Sequence, residues 1–190
     1  MLKVTQLWPN LKGWEIRSEG GCLKGASPFY FREGEMRIID VSAGKRAVWF
    51  NKHHPDALYI DIRPEVQPDV VCDSRELPIT TPNIPDWTSY FDLAVFDPPH
   101  VNFGRNAELS YTYGYHTTEE IRDIITRTAT QLHRVLKPDG MLSFKWNDHD
   151  QKLDKVIALM PQFEPLVGAT TSMRTKHAST TFWVLLRNRK

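Results

Sequence analysis

Cysteine is scarce in this 190-residue chain: Cys22 and Cys72 are the only two, and neither belongs to a C-x-x-C pair. That excludes a disulfide framework and a zinc-thiolate site, and the expectation is a reducing, cytoplasmic setting. No apolar run approaches the roughly 18 residues that would raise a membrane span. The first residues, MLKVTQLWPNLKGWEIRSEGG, lack the apolar core of a signal peptide. The net charge is only +1, so the basic imbalance common in nucleic-acid-binding domains is missing, although a local patch would serve. The seven histidines are scattered, and His53 and His54 are adjacent rather than one helical turn apart, so no metal is expected. There are no repeats and no low-complexity tract.

What is present is alternation. Short β-rich runs, MRIIDVS (36–42), ALYIDI (57–62), DVVCD (69–73), FDLAVFD (91–97) and MLSFKW (141–146), are separated by longer segments. Of those, GKRAVWFNKHH (44–54) and HDQKLDKVIALMP (149–161) are compatible with helices. TTEEIRDIITRTATQLHRVLK (117–137) is the clearest helix, with a threonine cap and one apolar stripe. ELPITTPNIPDWTSY (76–90) holds three prolines and reads as loop. FEPLVGATT and TFWVLLRNR close the chain as two strands with no helix between them. The expectation is an α/β, Rossmann-like, doubly wound sheet, seven-stranded and mostly parallel, ending in an antiparallel hairpin. Residues 36–190 form this domain, and residues 1–35, with Trp8, Trp14 and SPFYFREG, form an arm packed on it.

Ligands of doubly wound sheets bind outside the carboxyl ends of the strands. Asp40, Asp61, Asp73 and Asp97 each close an apolar run and should gather on that rim. An aspartate at one strand end is ordinary turn chemistry; four in succession are harder to explain that way. Asp40 opens DVSAG, where a strand, a turn with Gly44 and small Ser42 and Ala43 could turn backbone N–H groups to a ligand. Asp61 lies 21 residues further on, the spacing at which a carboxylate holds a ribose diol. Asp73 ends the third strand, where an adenine amino group could be received. Only one of the three glycines of G-x-G-x-x-G is present, which disfavours a nicotinamide enzyme.

This set resembles the class I S-adenosylmethionine-dependent methyltransferases from about residue 36 to the C-terminus: DVSAG their first motif, YIDIRPE their ribose-binding acid, CDSRELP their adenine-binding turn. The resemblance implies S-adenosylmethionine as cofactor, held by Asp40, Ser42, Ala43, Gly44, Asp61, Ile62, Asp73 and Ser74. Lys45 or Arg46 stands where a second glycine is usual. DPPH, residues 97–100, resembles the D/N-P-P-aromatic motif of methyltransferases acting on exocyclic amines. On that resemblance Asp97 and the Pro98 carbonyl accept the amine's N–H groups, Pro98 and Pro99 fix the backbone, and His100, in place of the usual Tyr, Phe or Trp, stacks on the base. The expected substrate is N6 of adenine in DNA or RNA. N2 of guanine, a small-molecule amine, and a non-catalytic nucleic-acid-binding subunit of the same fold are the rivals.

The sixteen residues VNFGRNAELSYTYGYH (101–116) make a long loop after DPPH, of the kind that closes over a site. Phe103, Tyr111 and Tyr113 are candidates for stacking on an extruded base, and Arg105 for a phosphate. Lys45, Arg46, Arg63 and Arg75 are further cations near the rim. A chain this short has no separate target-recognition domain, so a protein partner could supply that function.

Overall fold

A computed structural model describes residues 35–100, 116–168 and 181–190. The arm, the 101–115 loop with Phe103, Arg105, Tyr111 and Tyr113, and the 169–180 connection lie outside the described residues.

Seven strands form one sheet: β1 (Ile38–Asp40), β2 (Ala57–Asp61), β3 (Val70–Val71), β4 (Phe91–Phe96), β5 (Leu136–Asn147), β6 (Phe163–Gly168) and β7 (Thr181–Asn188). Their order is β3-β2-β1-β4-β5-β7-β6. The first five are parallel; β7 runs antiparallel to both β5 and β6. This is the expected architecture, hairpin included. The order reverses between β1 and β4, and a crevice for a ligand opens at such a switch point.

The main core lies on one face. Helix α1 (Thr118–Val135) lays Ile121, Ile125, Ala129 and Leu132 on a layer that includes Ile60, Phe96, Phe144 and Trp146. Thr117 and Glu120 form a reciprocal capping box at its start. The 77–90 loop contributes buried Leu77, Ile84 and Trp87 to the same core.

Two expected helices differ. Residues 44–54 form a chain of turns. Gly44 and Arg46 take left-handed φ of 49° and 56°, which no helix accommodates. Arg46 donates to the carbonyls of Lys52 and Gln67 and lies over the Tyr59 ring at 4.0 Å. Trp49 donates to Asp40 across 2.7 Å and meets Tyr59 edge-on. These tertiary bonds tie the segment over the second, smaller cluster of Ile38, Ala43, Ala57, Tyr59 and Val95. The second helix shrinks to α2 (Leu153–Ile157), because Trp146 donates to the Gln151 carbonyl and holds the preceding residues in a turn.

Candidate active site at the β1–β4 rim

The parallel register aligns Asp40 with Val95 on β4 and Tyr59 on β2. Asp40, Asp61 and Asp97 therefore stand at neighbouring strand tips, on the face of the smaller cluster. Asp97 N–H donates to Ser42 Oγ across 2.7 Å, and Ser42 N–H donates to Asp40 Oδ1 across 3.0 Å. The tip of β4 is thereby bonded to the turn after β1. Asp40 is fully buried, and its second oxygen takes the Trp49 indole N–H. Burial disfavours its charge and lifts its pKa to about 6, against the pull of Trp49 and Ser42 and with help from the nearby Asp97 charge.

Asp61 closes over the same turn from β2. Its Oδ2 accepts from Gly44 N–H at 2.8 Å and Arg63 Nη2 at 3.2 Å; its Oδ1 accepts from Arg63 N–H at 3.0 Å and Nε at 2.9 Å. Desolvation pushes the Asp61 carboxyl up, but the bonds from Arg63 and Gly44 outweigh it and hold the pKa below the usual range. Two guanidinium donors side by side on one carboxylate occupy the sites that the two hydroxyls of a vicinal diol would use. Glycine is favoured at residue 44: its φ is positive, and a Cβ there would come within 3.3 Å of Arg63 Nη2 and push the guanidinium aside. Ile62 beside it is 60% exposed, an apolar surface at the rim.

Asp73 and Ser74 are differently engaged. The Asp73 carboxylate is taken up by Arg75, which also reaches Asp123 on α1. Ser74 Oγ bonds Thr128 Oγ1, a buried residue of α1. Arg63 and Arg75, two of the cations near the rim, are each paired with the acid two residues before them.

At DPPH, Pro98 O lies 3.1 Å from His100 Nδ1 and accepts from it when that nitrogen carries the proton. His100 meets Trp146 edge-on rather than standing free. Asp97 Oδ2 accepts from Lys145 Nζ across 2.6 Å. Lys145 lies on β5 one residue beyond Phe144, the partner of Phe96, so it flanks Asp97 directly. Trp183 of β7 is its partner on the other side and is 45% exposed. Sequence reasoning missed both. The signal was the alternation in SFKWN, which turns Phe144 and Trp146 into the core and Lys145 to the opposite face.

Among the described residues, no cluster of His, Cys, Asp and Glu is arranged to hold a metal, and no helix is long and apolar enough to cross a membrane. An apolar groove lined by Leu153, Ile157, Leu166 and Phe182 sits on the α2 side of the sheet and includes none of the rim acids.

No protein-family model matches the chain, and no curated protein matches it in sequence. Solved structures do match in shape. The PH0226 protein of Pyrococcus horikoshii OT3 aligns with a TM-score of 0.54 at 12% identity, over 83% of this chain and 84% of that one. The N-methyltransferase NodS of Bradyrhizobium japonicum WM9 in complex with S-adenosyl-L-homocysteine aligns with a TM-score of 0.50 at 14% identity, over 82% and 79%. The [4+2]-cyclase SpnF has a TM-score of 0.50 at 15% identity, over 82% and 75%. At such identities the likeness is one of fold: the class I methyltransferase fold. A cyclase among these neighbours underlines that the reaction has to be argued from the site.

Proposed function

We propose that this chain is an S-adenosylmethionine-dependent N-methyltransferase whose acceptor is an exocyclic amine of a nucleobase, N6 of adenine in DNA or RNA. One observation carries the reading. The DPPH acid at the tip of β4 is hydrogen-bonded through Ser42 to the turn after β1, so the amine-binding motif and the cofactor turn share one rim at the switch point.

The residues there suit the cofactor. The turn Ser42–Gly44 is built of small residues. Asp61 offers a carboxylate whose two oxygens take paired donors, and Ile62 offers exposed apolar surface beside it. Asp40, Ser42, Ala43, Gly44, Asp61 and Ile62 would hold the group, with Asp61 exchanging the Arg63 guanidinium for the ribose diol. Asp40 would reach the group through the Ser42 turn that its buried carboxylate holds, or directly only by releasing Trp49. Asp73 and Ser74 would join only by releasing Arg75 and Thr128. When bound, S-adenosylmethionine supplies an electrophilic methyl group on a sulfonium sulfur.

The chain's own residues would act on the amine. An amine conjugated to an aromatic ring is a poor nucleophile, because its lone pair is delocalised. Asp97 and the Pro98 carbonyl would accept its two N–H groups and favour a more tetrahedral nitrogen. Pro98 and Pro99 fix φ and pre-aim that carbonyl, which lowers reorganisation in the transition state. For this His100 turns from Pro98 O, which frees its ring to lie on the base.

Two measurements test this. Tritiated methyl from S-adenosylmethionine should enter DNA or RNA and appear as N6-methyladenine after digestion to nucleosides. Asp97→Ala should abolish transfer while cofactor affinity stays within about twofold; full turnover by that variant would remove Asp97 from the mechanism. The rival of a binding subunit without turnover is favoured by the Arg63 guanidinium on Asp61. The absence of both binding heat and thermal shift at millimolar S-adenosylmethionine would decide for it.

A further inference from the structure

We propose that Lys145 is the specificity-determining residue of this site: with Asp97 it forms a donor–acceptor pair that reads the amine of adenine together with the adjacent ring nitrogen, N1. The inference rests on the nucleobase reading above and extends it to a residue outside the DPPH motif.

The geometry points there in three ways. First, the pair is side by side, with Lys145 Nζ and Asp97 Oδ2 2.6 Å apart at adjacent strand tips. A carboxylate only accepts; an ammonium only donates, and has three N–H groups of which Asp97 takes one. An acceptor next to a donor is the complement of an amino group next to an unprotonated ring nitrogen, the edge that adenine presents at N6 and N1. Asp97 accepts from the amine, and Lys145 donates to N1. Second, the charge selects. An alkyl amine is protonated near neutral pH and has no lone pair to methylate, and the Lys145 ammonium already occupies the Asp97 carboxylate that would otherwise attract it. The amine of adenine is neutral, so it can approach a lysine and remain nucleophilic. Third, the row continues in Trp183, whose ring centroid is 5.9 Å from Lys145 Nζ and whose indole is 45% exposed. Asp97, Lys145 and Trp183 thus follow one another across β4, β5 and β7, and an open indole beside a hydrogen-bonding pair is a surface on which a planar base can lie. The pair holds one further advantage: Asp97 keeps its orientation before substrate arrives, so its approach to the amine needs little reorganisation.

The test compares single-stranded DNA and RNA oligonucleotides with randomised flanks around one adenine or one 1-deazaadenine, in which N1 is replaced by C–H. Methyl incorporation is read by mass spectrometry after nucleoside digestion, with the full chain as wild type, Lys145→Arg, Lys145→Met and Lys145→Ala. Removing N1 also alters the amine's own reactivity, so the decisive quantity is the adenine-to-deazaadenine rate ratio compared across variants. Wild type and Lys145→Arg should favour adenine by tenfold or more relative to Lys145→Met or Lys145→Ala. The neutral variants should lose rate on adenine and little on deazaadenine; either one, if folded, supplies the comparison. Equal ratios in all variants, with N6-methyladenine formed, overturn the role of Lys145 and leave the nucleobase reading standing. No methyl in either oligonucleotide from an enzyme that binds S-adenosylmethionine overturns the nucleobase reading and this inference with it.

Discussion

Asp40 shows what a single buried carboxylate does to this molecule. Its pKa rises from 3.8 to about 6, chiefly because burial penalises the charge. A folded state that holds a proton more tightly than the unfolded chain is favoured at low pH. The contribution is therefore fully present below about pH 4, is lost as pH rises through 6, and is constant above. At about 1.4 kcal/mol per unit, some 3 kcal/mol separates the ends of that window. Asp61 and Asp73 work oppositely: their carboxyls are held low by Arg63 and Arg75, so their contribution is present above the ordinary carboxylate range and lost in acid. In urea denaturation between pH 4 and 7, Asp40→Asn should lack the decline that Asp40 causes, so its stability relative to wild type rises by roughly 3 kcal/mol across the window. A difference that stays flat with pH would place the titration elsewhere.

Arg63 carries a second prediction at this scale. Its guanidinium occupies both oxygens of Asp61. If a ribose diol takes that carboxylate, it has to displace the guanidinium first. Arg63→Ala should then strengthen S-adenosylmethionine binding several-fold, and Asp61→Ala should weaken it by roughly 1.5–3 kcal/mol, the scale of a charge-assisted hydrogen bond. Calorimetry separates the two. Weaker binding by Arg63→Ala would mean that the guanidinium itself holds the ligand.

At the scale of the element, legibility in the sequence followed the kind of information each segment carries. α1 was readable because capping and burial agree within it: Thr117 and Glu120 bond reciprocally, and the apolar stripe is the face that is buried. Thr117→Ala should cost about 1 kcal/mol, seen as a lower urea midpoint with unchanged slope. The strands were readable from their β-rich runs, and the acids at their tips from position. The 44–54 segment was not. Ala47, Val48 and Phe50 mimic a helical face, yet Phe50 is fully exposed, and Asp40, Tyr59 and Gln67 claim its other side chains from a distance. Local periodicity cannot register bonds made 9 to 21 residues away. Lys145 escaped for a related reason. Inside SFKWN it reads as one polar position of an alternating strand; its proximity to Asp97, 48 residues earlier, exists only once β4 and β5 are in register.

For the whole molecule, the connection that matters is between the terminal hairpin and the parallel sheet, since β7 supplies Trp183 at one end and Asn188 at the other. Asn188 is completely buried. Its Nδ2 donates to the carbonyls of His133, Leu136 and Lys137 at 3.4, 3.3 and 3.0 Å, and its Oδ1 lies 2.6 Å from His133 Nδ1. One amide thus fastens the last strand to the junction where α1 turns into β5, more than fifty residues earlier in the chain. An apolar residue there would take this donor from the His133 and Lys137 carbonyls and leave the Leu136 carbonyl with the Lys190 ammonium alone. Asn188→Ala should cost about 2–3 kcal/mol. Because β5 is shared by the hairpin and by the parallel sheet, that loss should appear as one transition, with tryptophan fluorescence and far-ultraviolet circular dichroism shifting together. If the part of the fluorescence that Trp183→Phe removes is instead lost first while the helical signal persists, the hairpin unfolds as a separate unit, and Trp183 stands on a part of the sheet that can leave the site without unfolding the rest.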